Sequence, residues 1–469
     1  MLELAKIFVI RNHQLSITVL IMKLPDYINA VSGPFVDSVV ASSSSSERLQ
    51  FFELPDVDPT PEWSSKTRGF FVNGLVQIQK SRIREFLISQ CGGVKLAGFV
   101  VDMLCTSLMD VAEEFGIPSY VFFTSPTAFR GLMLYFQFLE VVSSFKNSLG
   151  TTLLSFPSYA YPVPPNILPM VLVDRDTWLG RFIEFARGYR KAKGIIINSF
   201  AELEVYALDA YNSNNISRSG HDPLPSIHPI GPILNKSKSR SESEEAEITN
   251  WLDEQPPNSV VLLCFGSHGS LPTDQVKEIA IALDNIGCRF LWSLRCPLQS
   301  NNAQFPGEYT SYSEILPEGF LNRIEKKGKV VGWVPQLKVL SHEAIGGFVS
   351  HYGWNSILES LWYGVPIAGA NLCINFGSSE PQVNAFQLVK EIGVAVEITL
   401  DYCERNKDQP IVTTEVIKKG ISKLMETKSA VKHKANEIIE KSKGSVIVGG
   451  SSYLSLGKLI DELLKNAAL

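Results

Sequence analysis

The chain has 469 residues, enough for two or three domains at roughly 150 residues each. Its 45% hydrophobic and 19% charged residues, with 33 Gly and 26 Pro, exclude a disordered, collagen-like or fibrous protein. A formal net charge of −5 excludes a broad basic surface for nucleic acid or anionic lipid, so an anionic ligand needs a local site.

Residues 1–11 carry Leu2, Leu4, Ala5, Ile7 and Phe8 at helical spacing, and Ile17–Met22 reads as a buried strand. That order is unusual, because a helix feeding a parallel strand normally follows an earlier strand. A strand near Ala97–Val101, a helix through Ser107–Phe115 and a strand at Ser119–Phe123 continue the alternation. Pro126–Phe145 reads as an apolar helix that serves either the core or the wall of an apolar pocket. Another strand lies at Gly194–Asn198. The polar run 236–247 (KSKSRSESEEAE) then reads as a solvated boundary segment. A second α/β series follows, with strands at Val260–Phe265, Arg289–Leu294 and Lys329–Val331 and a helix near Thr273–Ile286. The pattern divides the chain into an N-terminal domain over 1–235, a linker over 236–247 and a C-terminal domain over 248–450. A closing helix within 451–469, from about Ser455 to Leu464, is expected to pack back on the first domain.

The seven cysteines are scattered without a CxxC pair, which predicts unpaired thiols in a reducing compartment and no zinc site. The N-terminus has no basic start leading into a long apolar stretch, and no window approaches the ~18 apolar residues of a membrane span. A cytoplasmic monomer without a membrane span or nucleic-acid partner is the expectation.

The densest chemistry lies between Trp333 and Phe386. Ile345–Ser350 reads as a strand, His351–Trp354 as a tight turn, and Asn355 or Ser356 as the cap of a helix running through Trp362. Free N–H groups at that helix start, beside His351, Asn355 and Ser356, suit a diphosphate without a metal. Ser356 and Glu359 also match a capping box, which is the structural alternative. Glu359 has two oxygens for the two hydroxyls of a ribose. Trp333 fits either a stack on a planar base or a hydrophobe that closes the core.

These residues resemble the signature box of plant UDP-dependent glycosyltransferases of secondary metabolism. Trp333-Val-Pro-Gln336 and His351-Tyr-Gly-Trp-Asn-Ser-Ile-Leu-Glu359 carry the likeness, and INSFAELE (197–204), HPIGPILN (228–235), LLCFGS (262–267) and GGSSYLSL (449–456) extend it over nearly the whole chain. The resemblance implies a GT-B fold, α/β, with two Rossmann-like domains facing across a cleft. It implies UDP-glucose as donor substrate, no separate cofactor, and an apolar small-molecule acceptor such as a flavonoid, phenolic or terpenoid. It implies that Trp333 stacks on uracil, that Gln336 contacts the nucleoside and that Glu359 holds the ribose. His351, Asn355, Ser356 and Ser267 would hold the diphosphate, with Trp354 beside them in the same turn and Glu380 on the sugar. Asp102 in VVDMLCTS matches the acid that orients a catalytic His, and it also reads simply as a strand-end cap.

Two departures set further expectations. The family's catalytic His lies after a first strand and before the first helix, whereas this sequence starts at that helix. His13 follows the helix, ~15 Å away at its other end, so no base is assigned and the first strand and its His turn are expected to be missing. From Trp333 to Pro381 runs 49 residues, roughly five more than the family's box. The family's Trp-Pro is absent there, and Pro381 stands where Gln is expected, without an amide side chain or a backbone N–H. Together these features suggest a truncated or misassembled reading frame, and a UDP-binding protein without turnover is the alternative to an active transferase. A nicotinamide oxidoreductase is excluded, since no G-x-G-x-x-G follows the first strands.

Overall fold

The computed structural model describes residues 1–22, 47–57, 68–90, 92–138, 153–169, 179–213, 216, 224–234, 242–267, 269–297, 307–369, 380–400, 411–426 and 429–468. Its elements follow the alternation of apolar runs and amphipathic segments. In the N-terminal half these are α1 (Leu2–Arg11), β1 (Ile17–Ile21), β2 (Leu49–Glu53), α2 (Arg68–Gln90), β3 (Phe99–Asp102), α3 (Met109–Glu114), β4 (Ser119–Phe123) and α4 (Thr127–Phe138). The same half ends with α5 (Leu179–Lys191), β5 (Gly194–Ile197), α6 (Val205–Asn212) and β6 (Ser226–Pro229). Strands β3, β4, β5 and β6 form a parallel sheet in that order, while β1 and β2 pair with each other in register Ile17–Leu49 through Ile21–Glu53. Among the described residues no strand joins the two sheets.

The second half runs α7 (Glu242–Asp253), β7 (Val260–Cys264), α8 (Thr273–Ile286), β8 (Arg289–Ser293), α9 (Phe320–Ile324), β9 (Gly328–Val331), α10 (Gln336–Leu340), β10 (Ile345–Ser350), α11 (Trp354–Tyr363) and β11 (Ile367–Gly369). It continues through α12 (Pro381–Phe386), which passes into a π-turn over Gln387–Ile392, then β12 (Ala395–Glu397), α13 (Thr414–Met425), α14 (Ala430–Val446) and α15 (Ser451–Ala468). All six strands are parallel, in the order β12-β11-β10-β7-β8-β9. Every residue of β7 and β10 is buried, as expected of strands covered by helices on both faces. One core packs Leu262, Phe348 and Ile357 on one face of this sheet, and another packs Val261, Leu263 and Ile279 on the other. No helix among the described residues is long and apolar enough to cross a membrane.

Two sequence expectations need correction. The polar run 236–247 is not merely a connector, because α7 begins inside it at Glu242. Buried Ile248 and Leu252 anchor that helix, and Lys329 and Lys338 draw its acids Glu247 and Glu245 onto the domain at 2.6 and 2.5 Å. The closing helix spans Ser451–Ala468, longer than its apolar stretch, because Ser451 and Ser452 anchor its start by hydrogen bonds to Glu202 and to the Gly231 carbonyl. The expected insertion around 370–379 and the end of the apolar helix, 139–145, lie outside the described residues.

Helix α15 belongs to the second half in sequence but packs on the first sheet. Leu459, Ile460 and Leu463 share a core with Tyr120, Phe122 and Ile196 of β4 and β5 and with Leu4 and Phe8 of α1. Tyr120 donates its hydroxyl proton to Glu462 at 2.7 Å, and Asn466 donates to the Ala97 carbonyl at 2.9 Å. Leu459 is fully buried, so Leu459→Ala should cost ~2–5 kcal/mol through lost transfer energy and a cavity. Differential scanning fluorimetry should show the unfolding midpoint falling by about 4 °C or more; an unchanged midpoint contradicts this docking.

Candidate active site

The order of the second sheet places β7, the first strand of that half, directly beside β10, so the winding reverses between them. Open α/β sheets bind ligands in the crevice outside the carboxyl ends of the strands at such a reversal. Two turns close on it here, Phe265-Gly266-Ser267 after β7 and His351-Tyr352-Gly353 after β10.

These turns fit one another through glycine. Gly266 has φ +78°, and a Cβ there would stand 2.6 Å from His351 Cε1. A Cβ on Gly353 would stand 2.4 Å from His351 Nε2. The imidazole therefore occupies space that only two glycines leave open, which holds it between Gly266 and Gly353. Tyr352 is left-handed as well, at φ +62°, a conformation that disfavours a side chain by ~1–2 kcal/mol. Its hydroxyl donates to the Val396 carbonyl at 3.1 Å, its N–H donates to Ser350 Oγ at 3.2 Å, and its ring fills the space over Gly369.

Helix α11 starts from Gly353 with no side chain capping it and ends at Gly364 in the left-handed region. Its first-turn amides have no side-chain cap and its positive dipole end follows the β10 turn directly, an arrangement that can bind an anion. The capping-box alternative is thereby overturned, and neither Asn355 nor Ser356 is the cap. Ser356 lies inside the helix and accepts a hydrogen bond from Gln336 Nε2 at 3.0 Å, while Glu359 accepts from the same group at 2.7 Å. Burial pushes the Glu359 carboxyl up to about 7, and the hydrogen bond from Gln336 only partly offsets this.

Ser267, Trp333, Gln336, Ser356 and Glu359 line one cavity of about 690 Å³, within the range of small-molecule sites. The same wall includes residues that the sequence reading missed: Ser293, Arg295, Lys338, Tyr363, Glu242 and Glu245. Arg295 sits two residues beyond β8, so its position at the end of a strand neighbouring the reversal was a usable signal. The two glutamates come from α7 and had no signal in a run read as solvated.

Other predicted residues lie elsewhere. Asn355 is exposed on the first turn of α11. Trp354 is buried, and its indole N–H donates to the Asn198 carbonyl of the N-terminal half at 2.7 Å; its side chain belongs to the seam between the halves and not to the cavity wall. Glu380 is the N-cap residue of α12. Asp102 ends β3 and accepts a hydrogen bond from the Leu104 N–H at 2.9 Å, a turn that its short side chain makes with its own backbone. Burial raises its carboxyl above the usual range, against hydrogen bonds from Leu104 and Met103. Tyr189 marks where the halves converge. Its hydroxyl donates to the Met103 carbonyl at 3.0 Å and is pushed well up by burial first, then by Asp102, with Glu380 of the other half adding to the effect. His13 lies beyond α1 on the surface.

Residues 221–407 match the model of the family described as UDP-glucoronosyl and UDP-glucosyl transferase. The chain is 43% identical over 475 residues to UDP-glycosyltransferase 71E1 of Stevia rebaudiana, covering 98% of this chain and 94% of that one. It is 42% identical over 477 residues to UDP-glucose flavonoid 3-O-glucosyltransferase 6 of Fragaria ananassa, covering 98% and 95%. The crystal structure of Medicago truncatula UGT71G1 complexed with UDP-glucose superposes with a TM-score of 0.85 at 36% identity, over 98% of this chain and 94% of that one. Phytolacca americana UGT2, complexed with UDP-2fluoro-glucose and pterostilbene, gives a TM-score of 0.82 at 27% identity, over 99% and 96%. With its two parallel-sheet halves in the GT-B arrangement, the chain belongs to the plant UDP-glycosyltransferase family.

Proposed function

We propose that this protein transfers glucose from UDP-glucose to a hydroxyl of an apolar small molecule, a flavonoid, phenolic or terpenoid, with inversion at the anomeric carbon. The observation that carries this reading is the convergence of Trp333, Gln336, Ser356 and Glu359 on one cavity at the reversal of the second sheet. Trp333 stacks on uracil, Gln336 contacts the nucleoside and Glu359 accepts from the ribose hydroxyls. The diphosphate lies against Ser267, His351, Asn355, Ser356 and the amides opening α11, with Trp354 holding that helix from behind, and Glu380 receives the sugar. The acceptor oxygen bonds to the anomeric carbon as the bond to the β-phosphate oxygen breaks, UDP departs with the electron pair, and the hydroxyl proton leaves to solvent water. On the acceptor side Asp102 is the orienting acid, with no partner base assigned to it. The flavonoid activity in the name of one relative and the pterostilbene bound by another support the acceptor class. The reading includes a cytoplasmic monomer whose partners are the UDP-sugar and the acceptor.

A second reading, binding of the UDP-sugar without turnover, is favoured by two observations. Among the described residues no hydrogen bond or ion pair joins Asp102 to a histidine, and Pro381 opens α12 without an N–H. Loss of a general base typically slows such chemistry by ~10²–10⁴-fold. Incubation with radiolabelled UDP-glucose and a panel of phenols and terpenols separates the two. We expect a labelled glucoside from at least one acceptor, reduced at least tenfold by Asp102→Asn with UDP-glucose affinity unchanged. Saturable UDP-glucose binding with no product from any acceptor would establish the second reading.

Glu359 gives the donor site a predicted pH dependence. The carboxylate accepts both ribose hydroxyls, whereas the neutral acid must donate at one oxygen. With the free carboxyl near 7, about a tenth is ionised at pH 6, so UDP-glucose affinity should rise roughly tenfold from pH 6 to pH 8. Isothermal titration calorimetry should also show proton release on binding near neutrality, and Glu359→Gln should bind more weakly with no slope. A flat profile in the unmodified protein contradicts this role.

A further inference from the structure

The diphosphate turn and the helix that carries Glu380 are joined by one side chain. Asn384 is completely buried on α12 and donates from Nδ2 to the Tyr352 carbonyl at 3.1 Å. Its own N–H donates to the Glu380 carbonyl at 2.9 Å. A single residue thus touches both the backbone of the acid at the helix N-cap and the strained residue between His351 and Gly353.

We propose that Asn384 is a positioning residue that sets the sugar acid Glu380 relative to the diphosphate turn, so that it governs recognition of the sugar and not of the nucleotide. The inference rests on the sugar role proposed for Glu380. The turn has anchors of its own: the Tyr352 hydroxyl on Val396, its N–H on Ser350, and the His351 ring seated between Gly266 and Gly353. Helix α12 packs through an apolar face, Val383 and Phe386 in one core and Ala385 in another. Apolar packing is non-directional, whereas the Asn384 bond fixes distance and angle. Losing it leaves the turn in place and lets the N-cap of α12 drift.

The test is calorimetric titration of the full chain with UDP and, separately, with UDP-glucose, for Asn384→Leu, which cannot donate, and for Asn384→Ala. We expect UDP-glucose affinity to fall about tenfold, the usual effect of stranding a buried acceptor, while UDP affinity changes less than threefold. Glu380→Ala should lose the same preference for UDP-glucose, and combining it with Asn384→Ala should add little further loss. Equal weakening of both ligands by the Asn384 variants, or of neither, would overturn the proposal, as would failure of both variants to reach a native thermal midpoint, which would make Asn384 a folding residue. Retention of the UDP-glucose preference in Glu380→Ala would instead remove the sugar role of Glu380.

Discussion

The hydrogen bond from the Trp354 indole to the Asn198 carbonyl, 2.7 Å long and fully buried, holds the donor helix to the other half of the molecule. Trp354 is the first residue of α11, so its anchorage sets where the first-turn amides point. Asn198 is itself clamped, because its side chain accepts from the Ile233 N–H at 2.7 Å and donates to the Ile233 carbonyl at 3.2 Å. Gly231 closes the same knot, since a Cβ there would meet Asn198 Oδ1 and the Ser199 nitrogen at 2.6 Å. A few residues on, the buried Glu204 accepts from the Thr127 and Ala128 amides and from the Thr127 hydroxyl, which caps α4. A second tie crosses the seam where the Ala160 N–H meets Glu391 of the π-turn at 2.6 Å. The two halves are thus registered by directional polar contacts, one buried and one at the surface, and such contacts fix geometry better than hydrophobic area does.

The cavity separates two kinds of recognition. On the proposed reading, phosphate oxygens would meet amides and a helix dipole at the start of α11, and ribose hydroxyls would meet a carboxylate one turn further in. A carboxylate near a diphosphate would repel it, but Glu359 is held back from the helix start by Gln336, which also bonds Ser356. The same glutamine thus orients both the hydroxyl and the acid before any ligand arrives, and preorganisation of this kind reduces the entropy lost on binding.

Strands were the most legible elements, because VVLLC and IGGFVS are apolar runs too short for helices and too continuous for half-exposed strands. Helix α7 was not legible, since its first turn is polar and acidic and its order rests on tertiary contacts, the burial of Ile248 and Leu252 and the pairing of Glu247 and Glu245 with Lys329 and Lys338. Within the site, Trp333, Gln336, Ser356 and Glu359 could be grouped from their spacing and the family resemblance. The S-x-x-E pattern misled because the helix cap is Gly353, three residues before Ser356, next to a left-handed Tyr352 that no propensity scale anticipates. Trp354 misled in the opposite way: it sits inside the binding motif, yet its side chain serves the seam. Asn384 carried no local pattern, and only the fold shows what it touches.

The most direct test of this account is a crystal structure of the full chain grown with saturating UDP. The account predicts the uracil against Trp333, the ribose hydroxyls on Glu359 and the diphosphate against Ser267, His351 and the amides that open α11. UDP bound outside this cavity, or an empty cavity with Gln336 still bonded to Glu359 at saturating nucleotide, would contradict it.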